Sequence, residues 1–278
     1  MSNKQFLTLQ EQISFLETKN IRVPQTSNNM RILRDSNYYN MISCSKVKFA
    51  LGRELNGKYI YGESHFKAWV QYFKKDRNVS EHLMKNLLRF EQIINSRTAY
   101  YVSLLFENDE ISDVEKASLR QAIKGYRNST NYKGEETWVH ISNKTFGELR
   151  YIIKWLWKSN YKAIVGEIFE GYDFYRNNFL RKLDETVSLR NNIFHFRPLN
   201  IYLIYGTEKT RQSHYGVRRE VVEEIFFQRP IVKIKHEMIE ILNETKRFNG
   251  IKKRPNSIGR NSNEFFPETA QRHLIEYR

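Results

Sequence analysis

Apolar residues recur along most of this chain at the spacing of a helix. Leu83, Leu87, Phe90, Ile94, Tyr101 and Leu105 fall three, four or seven apart and predict a helix from about 80 to 106, with Ser80 as its N-cap. Leu149, Ile152, Ile153, Leu156 and Trp157 repeat the pattern in a helix of about 146–158. Two more, about 161–182 and 184–196, either follow one another or join, and bury Leu180, Leu183, Val187, Ile193 and Phe194. Three capping boxes mark helix starts: Thr8 with Glu11, Ser112 with Glu115, and Thr145 with Glu148. The first opens a helix to about Lys19 and the second one of about 113–125. Short helices are expected at about 25–35 and 64–73, and a last one at about 219–247, broken at Pro230. Inside it, Ile231 to Lys235 fits a half-exposed helix or a short strand. Asn56-Gly57, between Phe49, Leu51 and Leu55 on one side and Tyr59, Ile60 and Tyr61 on the other, marks a small β-hairpin.

These elements predict an all-α fold without internal repeats. Residues 1–79 form a helical N-terminal extension, 80–247 an antiparallel helical bundle, and 248–278 a basic tail. The length and the 40% hydrophobic content suffice for a real core.

Charge narrows the partners. A net +15 and an isoelectric point near 9.7 point to a polyanion, most simply nucleic acid. Membrane is the weaker alternative, because no apolar run reaches about 18 residues and the first residues lack a signal peptide's apolar core. The single cysteine, Cys44, excludes an internal disulfide and a multi-cysteine zinc site. No His-Glu-x-x-His, phosphate-binding glycine loop or Gly-x-Ser-x-Gly elbow is present, so no metal or other cofactor is expected, and the setting is a reduced cytoplasm. Residues 246–260 hold Lys246, Arg247, Lys252, Lys253, Arg254 and Arg260 without an acid: a solvated linker residue by residue, a phosphate-binding segment as a group. Most aromatic residues belong to the core; Tyr38, Tyr39 and Tyr61 are candidates for stacking on bases.

The candidate chemistry lies in Arg190-Asn191-Asn192-Ile193-Phe194-His195, followed by Phe196, Arg197 and Pro198. A histidine exchanges protons near neutral pH, and an arginine holds a phosphate that gains charge under attack by a 2′-hydroxyl. Spacing alone proves little. With 23 arginines and seven histidines, roughly 1.7 arginine–histidine pairs with about four to six residues between them arise by chance, and the chain has three: Arg190/His195, Arg77/His82 and Arg229/His236. The second follows the polar run Lys74-Lys75-Asp76 and is expected at a surface boundary; Pro230 directly follows Arg229 in the third. Residues five apart on an ideal helix point about 140° away from each other. Arg190 and His195 therefore need the helix to end or kink between them, a disturbance expected from Pro198. Asn191 shares the face of His195 and its amide is placed to orient the imidazole. The competing reading is a satisfied histidine at a helix end.

Several segments, in order over about residues 7–200, resemble the Abi-like abortive-infection proteins (the AbiD/AbiF group), a HEPN-domain family of bacterial phage defence. Leu7 to Leu16 resembles its opening helix, Asn37-Tyr38-Tyr39-Asn40 its Tyr-Tyr-Arg segment, Thr145 to Leu149 its Phe-Gly-x-Leu helix start, and Leu189 to His195 its Arg-Asn-x-x-x-His signature. The chain departs at Phe196, where the family often has a second histidine or asparagine, and at Phe90-Glu91-Gln92, where it usually has Phe-Asp-Arg. Arg197 stands where an adenylylated branch carries a tyrosine. The resemblance implies a HEPN-like all-α fold, metal-independent RNA cleavage, and a two-fold pairing that joins two arginine–histidine pairs; some relatives work with a small noncoding RNA.

The expectation is an endoribonuclease of abortive infection, with Arg190, His195 and Asn191 catalytic and Arg197, Lys252, Lys253 and Arg254 binding RNA, working as a homodimer. The alternative is a non-catalytic module that holds a structured RNA.

Overall fold

The computed structural model describes residues 7–107, 111–124, 137–172, 178–205, 219–227 and 232–251. Arg229, Pro230, Lys252, Lys253, Arg254 and Arg260 lie outside the described residues.

Local signals fix the N-terminal third. The Thr8 box opens α1 (Leu9–Glu17), and the Thr26 side chain caps α2 (Ser27–Asp35). A helix absent from the expectations follows, α3 (Tyr38–Phe49), capped by Asn37. The hairpin forms as β2 (Ala50–Arg53) against β3 (Tyr59–Tyr61), antiparallel, with Gly57 in the left-handed conformation of the turn (φ +87°). A two-residue parallel pair, β1 (Ile21–Arg22) with β4 (Ser64–His65), leads into the long helix.

That helix, α4 (Phe66–Glu107), has 42 residues and a length of about 63 Å. It replaces the two separate helices expected at 64–73 and 80–106, and the expected division at 79/80 falls inside it. Ser80 is buried in mid-helix and is not a cap. Within Lys74-Lys75-Asp76, Lys74 is exposed, but Lys75 and Asp76 are not a solvated boundary, because tertiary partners take up their charges. Asp76 is fully buried and accepts the backbone N–H groups of Leu199 and Asn200 at 2.9 and 3.0 Å. Lys75 pairs with Glu240 at 2.7 Å.

The remaining helices pack around α4. They are α5 (Asp113–Lys124), α6 (Thr137–Ser142), α7 (Phe146–Lys158), α8 (Lys162–Ile168), α9 (Phe179–Phe194), α10 (Leu199–Tyr205), α11 (Arg219–Phe227) and α12 (Val232–Asn249). The fold is all-α with one small hairpin. The main core runs from Val79 on α4 to Leu242 on α12, and a second cluster joins Ile13, Leu16, Leu33 and Met41 to Phe66 and Trp69. Because α4 contributes to both, the N-terminal segment and the bundle share one axis. A third contact ties them again: Arg247 on α12 donates to the carbonyls of Val47 and Ala50 at 2.9 and 3.0 Å and to that of Lys48. These include carbonyls at the end of α3 that have no partner within their own helix. Among the described residues no helix is long and apolar enough to cross a membrane.

Candidate functional site

The Arg190–His195 stretch forms the last turns of α9, whose buried face carries Phe179, Leu183, Val187, Leu189 and Ile193. The helix does not kink between the two residues, but its last helical residue, Phe194, lies between them. It ends at His195 itself, the C-cap, with φ −85° and ψ 16°. Phe196 N–H donates to the carbonyl of Ile193 at 2.9 Å, and Arg197 N–H to that of Asn192 at 3.1 Å. This is a Schellman ending, and its left-handed position is occupied by Phe196 at φ +54°. Glycine is the usual residue there. A side chain with a Cβ costs roughly 1–2 kcal/mol in that conformation. Pro198 then prevents helix from continuing and introduces α10.

Arg190 is held from three sides. Its Nε donates to Glu91 at 3.0 Å and its Nη2 to the other carboxylate oxygen at 3.4 Å. Its Nη1 donates to the Asn191 side-chain oxygen at 3.3 Å, and its guanidinium lies 4.4 Å from the Phe194 ring centroid. Glu91 also accepts the N–H of Phe146, the first residue of α7, at 2.9 Å. One carboxylate on α4 thus fixes the start of α7 and the end of α9. Both partners are mostly buried, with side chains 25% and 15% exposed. Three of the five guanidinium N–H groups are engaged, and the other two have no acceptor among the described residues.

His195 is exposed, and its ring makes no hydrogen bond or ion pair with any described residue. Arg190 and His195 do not bond to each other. Asn191, expected to orient the imidazole, turns its side-chain oxygen to Arg190 instead, while its backbone carbonyl accepts the His195 N–H at 3.0 Å. Arg197 is exposed and donates to the Asn192 side-chain oxygen at 3.4 Å.

The second arginine–histidine pair departs from its expected surface position. His82 is buried in α4, its Nε2 3.4 Å from the Asn86 amide nitrogen and its ring edge-on to Phe226. Arg77 does reach the candidate site. Its guanidinium lies over the Phe196 ring, 5.0 Å from the centroid. Next to it, Asp76 anchors the first residues of α10. Burial pushes the Asp76 carboxyl up to about 6, against the lowering effect of its backbone hydrogen bonds and of Arg77. Of the third pair, His236 is exposed on α12.

Sequence reasoning missed Glu91, Asp76, Arg77 and Phe196 as parts of this corner. A signal existed for two: Phe196 and Glu91 stand at the two places where the chain departs from the pattern it was found to resemble. Among the stacking candidates, Tyr38 is buried, Tyr61 packs edge-on to Trp69, and Tyr39 is exposed. No group of three histidine, cysteine, aspartate or glutamate side chains among the described residues is arranged to hold a metal ion.

Comparison of the chain with protein-family models, with curated proteins and with solved structures gives no match.

Proposed function

We propose that this protein is a cytoplasmic, HEPN-type endoribonuclease of phage defence, acting as a homodimer and associated with a small noncoding RNA. The observation that carries the proposal is the placement of His195: a solvent-exposed imidazole without a protein partner among the described residues, fixed at a helix end five residues after an arginine that keeps free N–H donors. A histidine free of structural duties is available to move protons.

In this reading one His195 takes the proton of a 2′-hydroxyl, whose oxygen forms a bond to phosphorus as the P–O5′ bond breaks. The products are a 2′,3′-cyclic phosphate and a 5′-hydroxyl, which receives its proton from an acid. A second protomer's His195 supplies that acid, since one imidazole cannot serve both roles in a single step. Arg190 donates to the non-bridging oxygens as their charge grows. Glu91 sets the position of Arg190 and offsets part of its charge.

The ion pair with Glu91 also favours a second reading, in which Arg190 is structural and the protein holds a folded RNA without cutting it. Cleavage separates the two. Wild type incubated with RNA in EDTA is expected to leave cyclic phosphate ends, His195→Ala to leave the RNA whole, and single-stranded DNA to resist for lack of the 2′-hydroxyl. RNA that stays intact with wild type while binding it gives the second reading; a strict magnesium requirement for the chemical step overturns the first.

A further inference from the structure

We propose that Arg77 and Phe196 form a second RNA contact beside His195, with Arg77 holding a phosphodiester next to the scissile one and Phe196 stacking on a flanking base. The inference rests on the reading of this chain as an RNA-binding nuclease and adds residues that the arginine–histidine pair does not include.

Two observations carry it. The Phe196 ring is 59% exposed, although the residue occupies a left-handed position that glycine would fill without strain. Nothing in the packing requires an aromatic ring there, because Phe196 belongs to none of the hydrophobic clusters. A strained residue whose side chain points into solvent, next to a free imidazole, is the kind of outlier that function maintains. Arg77, in turn, makes no hydrogen bond or ion pair with a described residue; its guanidinium stacks on the Phe196 ring and acts on Asp76 only through its charge. Among the described residues none accepts from its N–H groups, whereas three of those of Arg190 are engaged. A guanidinium stacked on a ring keeps its in-plane donors free for a phosphate and its orientation fixed. The exposed part of Phe196 can meet a base, and aromatic stacking with charge pairing is how single-stranded RNA is held without regard to sequence.

The position is held from below. Asp76, adjacent to Arg77 on α4, binds the N–H groups of Leu199 and Asn200, so the chain on the far side of Phe196 is anchored to the same turn of α4. Arg77 and Phe196 are therefore set against each other by backbone, whatever their side chains do.

The test uses the full chain and a short fluorescein-labelled oligouridine with 2′-O-methyl groups, which binds but cannot be cut. Arg77→Gln and Phe196→Gly are each expected to weaken binding about five- to a hundredfold. Arg77→Gln should also lower the slope of log affinity against log salt by about one, and Arg77→Lys should restore that slope without restoring full affinity. Phe196→Gly should melt no lower than wild type, because glycine accepts the left-handed turn. A lower melting temperature for Phe196→Gly would make the ring structural and overturn the proposal. So would unchanged affinity in both variants while wild type binds the probe and cuts unmodified RNA, an outcome that leaves the nuclease reading standing. If wild type binds no RNA, both fall together.

Discussion

Removing one side chain separates the residues that do chemistry from those that hold the corner together. Arg190 is both candidate catalyst and structural tie, since Glu91 bonds it and the start of α7 at once. Arg190→Ala leaves a mostly buried carboxylate without its cation, and a loss of about 1–3 kcal/mol is expected after allowing for the pair's partial exposure. His195→Ala removes an exposed ring and should stay within about 0.5 kcal/mol of wild type. His82→Ala, at a site expected on the surface, should cost about 1–3 kcal/mol because it empties buried space beside Phe226. Urea unfolding midpoints check all three. A stable Arg190→Ala or a destabilised His195→Ala would reverse the assignment of roles. Loss of activity in Arg190→Ala alone therefore says little, and His195→Ala is the cleaner probe of mechanism.

The start of α10 meets α4 through the buried carboxylate of Asp76. Because the folded Asp76 carboxyl is raised to about 6, the folded state binds its proton more tightly than the unfolded chain does. The folded state then holds more protons between about pH 4 and 6, so this group's contribution to stability falls as pH rises through that window. The full swing is about 3 kcal/mol, from a displacement of roughly two units. Exposed carboxylates such as Glu11 and Glu115, held below their ordinary values by the backbone N–H groups they accept, work in the opposite direction. The expected signature is therefore a difference: wild type minus Asp76→Asn, measured by urea unfolding, declines from pH 4 to 6 and levels off above. A difference that is flat across that range would mean Asp76 does not titrate there.

On the scale of the whole molecule, α4 runs through both the N-terminal segment and the bundle and contributes to the core of each. A chain beginning at residue 80 loses Asp76, the groups that Arg247 binds at the end of α3, and the Lys48 and Lys75 partners of Glu240. It also cuts the helix that both cores share. Such a chain is expected to show no cooperative thermal transition by circular dichroism. A sharp transition at or near the wild-type temperature would show that the bundle folds alone.

The capping boxes at Thr8, Ser112 and Thr145, the helical spacing of Leu149 to Leu156 and the Asn56-Gly57 turn all formed as the sequence predicts, because each signal is complete within a few consecutive residues. The candidate histidine and arginine were legible in the same way, as a short motif. Where the sequence misled, the deciding partner was far along the chain. Lys75 and Asp76 look like a solvated break until Glu240 and the start of α10 neutralise them, and Ser80 looks like a cap until the helix runs through it. The surroundings of Arg190 could not be read from Leu189 to His195, because Glu91 approaches from 99 residues away. Nor could the stacking of Arg77 on Phe196, which joins the middle of one helix to the end of another. Local hydrogen bonding and periodicity are written in neighbouring residues, so the sequence by itself determined the helices that open on capping boxes or carry a regular apolar spacing, but not α3, α6 or α10. The burial of a charge depends on which distant group meets it, so only the tertiary structure decided that α4 is one helix, that Arg190 is tied, and that neither His195 nor Arg77 has a hydrogen-bond or ion-pair partner among the described residues.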